Sequence, residues 1–503
     1  MADPVNHDVL SRAAHEADLS RMLRPRGIVA RTGAGVTQVV GLDDVGYEEL
    51  VRFDSGALGM AFDLRTNVTG VLLLASVAAV RAGEGVVGLG RLPDLPVGPA
   101  ALGRVIDPLG NPLDGNGPLP EQPRLELFRP APELIERKAV DEPLRTGVLV
   151  IDAAIPIGRG QRELIIGDRN VGKTALAEDA IVAQTPGDVA CVYVVIGQPM
   201  SRVLALRQTL LDAGALQNVV IVAADASMPP GMRYLAPYAG ASVAEWFREQ
   251  GGHALVVYDD LTKHADAYRE LSLLLDRPPG REAFPGDVFF IHAELLERAA
   301  ACNPEAGSGS VTALPLVETT ESDIAAYIPT NVISITDGQI YLDTTRFARN
   351  ERPAVDIGRS VSRIGGAAQP EPVRLAARNL RILYSRFEEL ESLARVGLEL
   401  EAGVEREIAR GRLLRALLRQ PRLSPRGIGE QVLAVLAVSE GWLDGLAPEK
   451  APRLVENLVA RVRAEEPGIA ASLDRAELPE GDWLARIRSL AADLHPASEG
   501  HRS

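Results

Sequence analysis

The sequence predicts a multidomain α/β protein: an N-terminal six-stranded β-barrel, a central α/β domain and a C-terminal helical bundle. Three observations predict it. Residues 25–92 hold six short β-type runs at close spacing with glycine turns between them. From about Val140 to Pro372, apolar strand-like runs alternate with helical stretches. From about Val373 onward Leu, Ala, Glu and Arg dominate with few breakers. The boundaries read as 1–24 for a helix-bearing tail, 25–92 for the barrel, 93–372 for the α/β domain with its linker, and 373–503 for the helical domain.

Residues 7–22 read as a short helix. The barrel runs are Gly27–Ala30, Gln38–Val40, Glu49–Arg52, Gly59–Phe62, Val71–Leu74 and Gly85–Gly88. A stretch rich in proline and glycine, Leu92–Pro123, links them to the α/β domain. There the expected strands are Arg162–Ile166, Val189–Ile196, Asn218–Val222, Ala254–Tyr258, Val288–Ile291, Val311–Leu316 and Val332–Leu342. Leu375–Leu418 begins the bundle.

Composition narrows the function. A chain of 503 residues with a net charge of −15 is long enough for several cores, and its charge argues against a nucleic-acid-binding surface. Its N-terminus is polar and charged, which is not the pattern of a secretory signal. The longest apolar runs, such as Val71–Val80, are too short to span a bilayer. Cys191 and Cys302 are far apart and match no metal motif; Cys191 lies in an apolar run and reads as a core residue.

Residues 167–174 read Gly167-Asp168-Arg169-Asn170-Val171-Gly172-Lys173-Thr174, a complete phosphate-binding loop of the form G-x-x-x-x-G-K-[ST]. The glycines permit close backbone approach, and successive N–H groups with a helix N-terminus oppose phosphate charge. Lys173 supplies a mobile cation and Thr174 a hydroxyl able to ligate Mg²⁺. The loop follows an apolar strand and opens a helix, the setting the motif requires. The chain has four lysines among 53 basic residues, and one of them stands here. A compact ammonium can slip between phosphates where a planar guanidinium fits less easily. The plain alternative, a glycine-rich turn that binds nothing, does not account for this setting.

Ala254-Leu-Val-Val-Tyr-Asp-Asp260 is an apolar strand ending in two acids. A carboxylate at that place organises Mg²⁺ and its waters. Asp259 is the metal-side candidate, acting through water, and Asp260 orients the segment that follows.

From about residue 25 to 440 the chain resembles the alpha subunit of the F1 sector of F-type ATP synthases. The resemblance rests on Ile155–Arg169, Tyr234–Gly240, Leu271–Val288, Pro329–Ile340 and Ser360–Gln369. It implies a RecA-like central domain that binds ATP or ADP with Mg²⁺. It also implies a ring of alternating alpha and beta subunits around a gamma central stalk, with peripheral stalk or stator subunits. The ring would couple ATP synthesis or hydrolysis to H⁺ or Na⁺ movement through the Fo membrane sector. Its place would be the cytoplasmic side of a bacterial plasma membrane, held there by other chains.

The same resemblance assigns residues. Gln198 follows the strand Val192–Gly197, where the related catalytic beta subunits carry a glutamate that orients the attacking water. An amide is a much weaker proton acceptor, so the chain is expected to bind nucleotide and hydrolyse it poorly or not at all. Arg363 matches an arginine that crosses to the neighbouring beta site as an arginine finger; without the motif, an ordinary salt bridge would explain it. Arg352 matches an arginine near the chain's own nucleotide, and Gln420 matches an adenine-side glutamine. The chain departs from the usual alpha pattern in having Asn170-Val171 where Gln-Thr is common, and Arg422 where a second glutamine is common. The connection Cys302–Ser310 is shorter than in some alpha chains. These departures resemble a divergent branch, the alternate bacterial enzymes called N-ATPases.

Two other classes compete. A self-sufficient hexameric P-loop motor, of the secretion type or Rho-like, needs a catalytic glutamate, and a helicase also needs a basic channel. A catalytic beta subunit needs the same glutamate. Gln198 opposes all of these, and the acidic balance opposes the helicase.

Overall fold

The computed structural model describes residues 26–74, 80–395 and 402–494. The expected helix over 7–22 lies outside them. Six strands close an N-terminal barrel: β1 (Arg26–Gly33), β2 (Val36–Val40), β3 (Leu50–Phe53), β4 (Leu58–Leu64), β5 (Thr69–Leu73) and β6 (Gly85–Gly88). They neighbour one another in the order β1-β2-β5-β4-β3-β6, so no edge is left open. Val29, Val39, Val51, Phe53, Ala61, Val71 and Leu73 fill the interior.

The central domain is an eight-stranded sheet. Its strands are β7 (Val105–Ile106), β8 (Glu163–Gly167), β9 (Val189–Ile196), β10 (Val219–Ala224), β11 (His253–Asp259), β12 (Ser310–Glu318), β13 (Gly338–Leu342) and β14 (Val361–Ser362). The spatial order is β14-β13-β8-β12-β11-β9-β10-β7, parallel except for β14. The proline-rich linker therefore contributes an edge strand. Strands β9 and β10 are buried along their whole length, as expected where helices cover both faces. One covering helix, Pro230–Glu249, lies so close to β9 that a Cβ at Gly240 would meet Val194 Cγ2 at 2.2 Å.

Two expected strands are corrected. Val288–Ile291 begins the helix Val288–Glu297, whose buried residues Val288, His292, Leu295 and Leu296 recur at helical spacing. Val332–Ile335 ends the helix Tyr327–Ile335, and the strand starts only at Gly338. Both runs are short and apolar, so their period was too brief to tell strand from helix.

Beyond Pro370 the described chain is helical: Glu371–Ala377, Leu380–Arg395, Ala402–Leu418, Ile428–Ser439, Ala451–Glu465, Pro467–Asp474 and Trp483–Leu494. One apolar core runs from one face of the sheet into this bundle. A second runs from the other face into the outer wall of the barrel, where Phe62, Tyr234 and Tyr268 pack ring against ring. The central sheet is thus clamped between the two smaller units, and its strand ends are held in fixed register.

Candidate functional site

The parallel strands deliver their C-terminal ends to one place, where α/β sheets bind ligands. Val195 pairs with Asp259, and Gly167 pairs with Glu318. The phosphate loop, Gln198, Asp259 and Glu318 therefore lie along one rim. They border a cleft of about 920 Å³ that extends to Phe347, Arg352, Pro353 and the Gln420–Arg422 segment.

The loop has the backbone its glycines promise. Gly172 has φ +103, a conformation a side chain resists, and starts the helix Lys173–Val182. A Cβ at Gly167 would meet Leu342 O at 2.6 Å. Asn170 has φ +62, and Val171 is buried. Lys173 Nζ donates to Gly167 O at 2.8 Å and to Asp168 O at 2.7 Å. Burial lowers the ammonium's pKa, while the charges of Glu318, Asp260, Asp259 and Asp168 oppose that shift.

Asp168 points away from the cleft. Its carboxylate accepts from Thr319 Oγ1 at 2.5 Å, from Ser322 N and Oγ, and from Thr344 Oγ1 at 3.1 Å. Burial works against its ionised form, but these bonds hold its carboxyl below the usual range. It acts as a tether for the loop. Arg169 is exposed and pairs with Glu318 at 2.9 Å.

Asp259 is the hub. Its carboxylate accepts from Thr174 Oγ1 at 3.1 Å, from Tyr193 OH at 2.7 Å and from Gln198 Nε2 at 2.8 Å. Burial pushes its pKa up, and the Tyr193 and Thr174 bonds with the Lys173 charge pull it part of the way back. Asp260 accepts from Lys263 N at 2.8 Å and so caps the helix Leu261–Leu274. Burial and the neighbouring charges of Asp259 and Glu318 push Asp260 up to about 8. A hydroxyl and a buried carboxylate 3.1 Å apart are hard oxygen donors, the set that Mg²⁺ takes beside phosphate. A divalent cation would also relieve this packing of acids, so the residues fit Mg²⁺ with a nucleotide.

Arg352 stacks 4.3 Å above the Phe347 ring and pairs with Asn350. The Gln420 amide is tied to backbone: Oε1 accepts from Leu149 N, and Nε2 donates to Gly147 O and Ser424 O. Arg422 pairs with Glu178. Arg363 is not part of this cleft. It is exposed beside β14 at the sheet's edge, and its guanidinium makes no hydrogen bond or ion pair among the described residues. Below it Glu163 is fully buried, with Oε1 unpartnered. Burial raises the Glu163 carboxyl well above its usual range, with the Arg363 charge acting the other way.

Sequence reasoning missed Tyr193, Glu318 and Glu178. Tyr193 carries the one hydroxyl in a strand of Val, Ala, Cys and Ile, which was a usable signal. Glu318 ends an apolar strand just as Asp259 does. Nothing in the sequence marks Glu178 as a partner of a residue 244 positions away.

Fold and cleft together define a P-loop nucleotide-binding protein with a barrel before its α/β domain and a helical bundle after it. Comparison with known proteins makes this specific. Residues 147–362 match the ATP synthase alpha/beta family, nucleotide-binding domain, and residues 369–493 match the ATP synthase alpha/beta chain, C terminal domain. The ATP synthase subunit alpha of Aquifex aeolicus is 46% identical over 481 residues, 96% of each chain. The ATP synthase subunit alpha 2 of Albidiferax ferrireducens is 47% identical over 97% of this chain and 92% of its own. That of Polaromonas naphthalenivorans is 48% identical over 93% and 91%. The chain belongs to the ATP synthase alpha/beta family, as an alpha-type subunit of the F1 sector. It works as one member of a hetero-oligomeric ATP synthase, and the self-sufficient motor is not favoured.

Proposed function

We propose that this chain is the non-catalytic member of the synthase ring. It holds ATP or ADP with Mg²⁺ in its own cleft, turns it over little or not at all, and presents Arg363 to the reacting phosphate of a neighbouring beta subunit. The barrel (25–92), the nucleotide domain (93–372) and the helical domain (373–503) act as its three units. Partners are beta subunits, the gamma stalk and stator subunits, with the Fo sector reached indirectly. No helix among the described residues is long and apolar enough to cross a membrane. Attachment to the cytoplasmic face of a bacterial plasma membrane would fall to the other subunits.

One observation carries the reading. At the position that asks for a general base, Gln198 donates its amide N–H to Asp259 at 2.8 Å. The amide nitrogen is a donor there, and the amide oxygen is too weak a base to take a proton from water. A glutamate there would set two carboxylates side by side, which repel. Mg²⁺, when bound, would neutralise phosphate charge; Thr174 and Asp259 would hold it, the latter through water. Lys173, now on two carbonyl oxygens, would transfer its N–H donors to phosphate oxygens. Phe347 and Arg352 border the cleft away from the loop and would flank the nucleoside, with the Gln420 segment beyond.

The test is direct. Rigorously purified chain should bind Mg-ATP with negligible turnover. Steady hydrolysis that disappears in Lys173→Ala would show the cleft to be catalytic and end this reading.

A further inference from the structure

The base end of the cleft carries a charge pair that the phosphate chemistry does not use. The inference rests on the reading that the cleft holds a nucleotide. With the phosphates at Gly172–Thr174, the remaining length of the cleft leads to Glu178, Gln420 and Arg422. Glu178 is five residues beyond Lys173, about 7 Å along the helix from the phosphate end. Gln420 cannot read a base there, because both its amide N–H groups are spent on Gly147 O and Ser424 O at 2.7 Å. Glu178 is 3% exposed, and Arg422 Nη2 answers its charge. The Arg422 side chain is itself 49% exposed, so the rest of its fork is free to face a ligand.

We propose that Arg422, anchored on Glu178, reads the base and makes this pocket accept 6-oxopurine nucleotides at least as tightly as adenine nucleotides. A guanidinium offers donors only. Guanine and hypoxanthine present two adjacent acceptors, O6 and N7, which match its fork. Adenine presents N7 beside an amino donor, so one N–H of the fork would face another N–H. The buried Glu178 carboxylate keeps the guanidinium in place, since leaving that charge unpaired is costly. Carboxamides, by contrast, pair one donor and one acceptor with adenine N6 and N7.

The experiment measures equilibrium binding of Mg-ATP, Mg-GTP, Mg-ITP and Mg-tripolyphosphate to the full chain, as wild type, Arg422→Gln and Glu178→Gln. GTP and ITP should bind wild type at least as tightly as ATP. Arg422→Gln should turn the preference about tenfold toward ATP. Glu178→Gln, which frees the guanidinium, should bring the three nucleotides within a few-fold of one another. Tripolyphosphate should bind all three proteins alike. A tenfold or greater preference of wild type for ATP over both GTP and ITP would overturn the proposal, as would an unchanged preference in Arg422→Gln. Tight GTP with weak ITP would also overturn it, since the 2-amino group and not the O6/N7 edge would then be read. If tripolyphosphate and every nucleotide fail to bind wild type, the nucleotide-holding reading falls too, an outcome distinct from tripolyphosphate binding with an ATP preference.

Discussion

The cleft and the β14 edge treat their charges in opposite ways. In the cleft every charged or polar group at the strand ends is tied to another part of the same chain. Lys173 sits on two carbonyls, and Asp259 gathers Thr174, Tyr193 and Gln198. At the edge, the Arg363 guanidinium stands exposed with no hydrogen bond or ion pair among the described residues. A hub of satisfied groups is suited to gripping a ligand without acting on it. An exposed cation on a held loop is suited to acting on something the chain does not contain. The loop is held firmly: Arg363 N bonds Asp337 O at 3.0 Å and Ser362 Oγ bonds Pro156 O at 2.6 Å, while a Cβ at Gly365 would strike Pro156 O. On the proposed function, the difference means that one chain separates nucleotide retention from nucleotide chemistry by some distance along the same sheet.

The largest expected effect tests the edge. Arg363→Lys should leave assembly and nucleotide content near wild type and lower the complex's ATPase activity about 10³-fold. Lysine keeps the charge but loses the fork that bridges two phosphoryl oxygens. Steady-state hydrolysis by purified mutant complex measures it; wild-type turnover would break the comparison at its active end. Lys173→Ala comes next. Loss of a charged donor from the loop should weaken nucleotide binding by the isolated chain about 100-fold. Equilibrium dialysis with labelled ATP reads the change, and unchanged affinity would remove the loop from the binding role.

A third prediction concerns acidity in the cleft. In the unfolded chain Asp260 ionises near 4, whereas burial and its acidic neighbours hold its proton to about 8 in the folded chain. Between those values the folded state binds more protons. Stability should therefore fall as pH rises from 5 to 8, by up to roughly 4 kcal/mol. Urea unfolding of nucleotide-free chain across this range measures the slope. Asp260→Asn should flatten it, since an amide oxygen still caps Lys263 N. A slope that persists in the variant would place the titrating group elsewhere.

Much of this contrast was legible in the sequence, and the reasons for what was not are physical. The loop and Asp259 were readable because phosphate and cation binding need particular residue types at fixed spacing after apolar strands, whereas Gln198 was marked only by the family resemblance. The barrel was readable because short runs bounded by glycine turns leave few other solutions. Val288–Ile291 was misread because four apolar residues are too few to show a period, and Val332–Ile335 because β-branched residues favour strands until packing overrides them. Asp168 was read only as a member of the loop; its carboxylate is engaged with Thr319, Ser322 and Thr344, partners about 150 or more positions away that no local pattern announces. The Glu178–Arg422 pair was hidden for the same reason: it forms only when the helical domain folds back onto the first helix after the loop.

The smallest effect is the sharpest test of the division of labour, because it separates occupancy from rate at a single hydroxyl. Thr174 Oγ1 lies 3.1 Å from Asp259 Oδ2, and it is the hydroxyl we propose for Mg²⁺. Thr174→Ala removes one oxygen donor of a hydrated cation, so binding of Mg-ATP should weaken only about tenfold, and binding of ATP in EDTA should not change. In the assembled complex the bound-nucleotide count should drop at this chain's sites. The first turnovers should stay within a few-fold of wild type, because the reacting phosphate belongs to the neighbour and Arg363 is untouched. A pre-steady-state ATPase trace run beside a nucleotide count distinguishes the two cases. If the first turnovers vanish in Thr174→Ala as completely as in Arg363→Ala, the cleft itself is doing the chemistry, and the separation of holding from acting collapses.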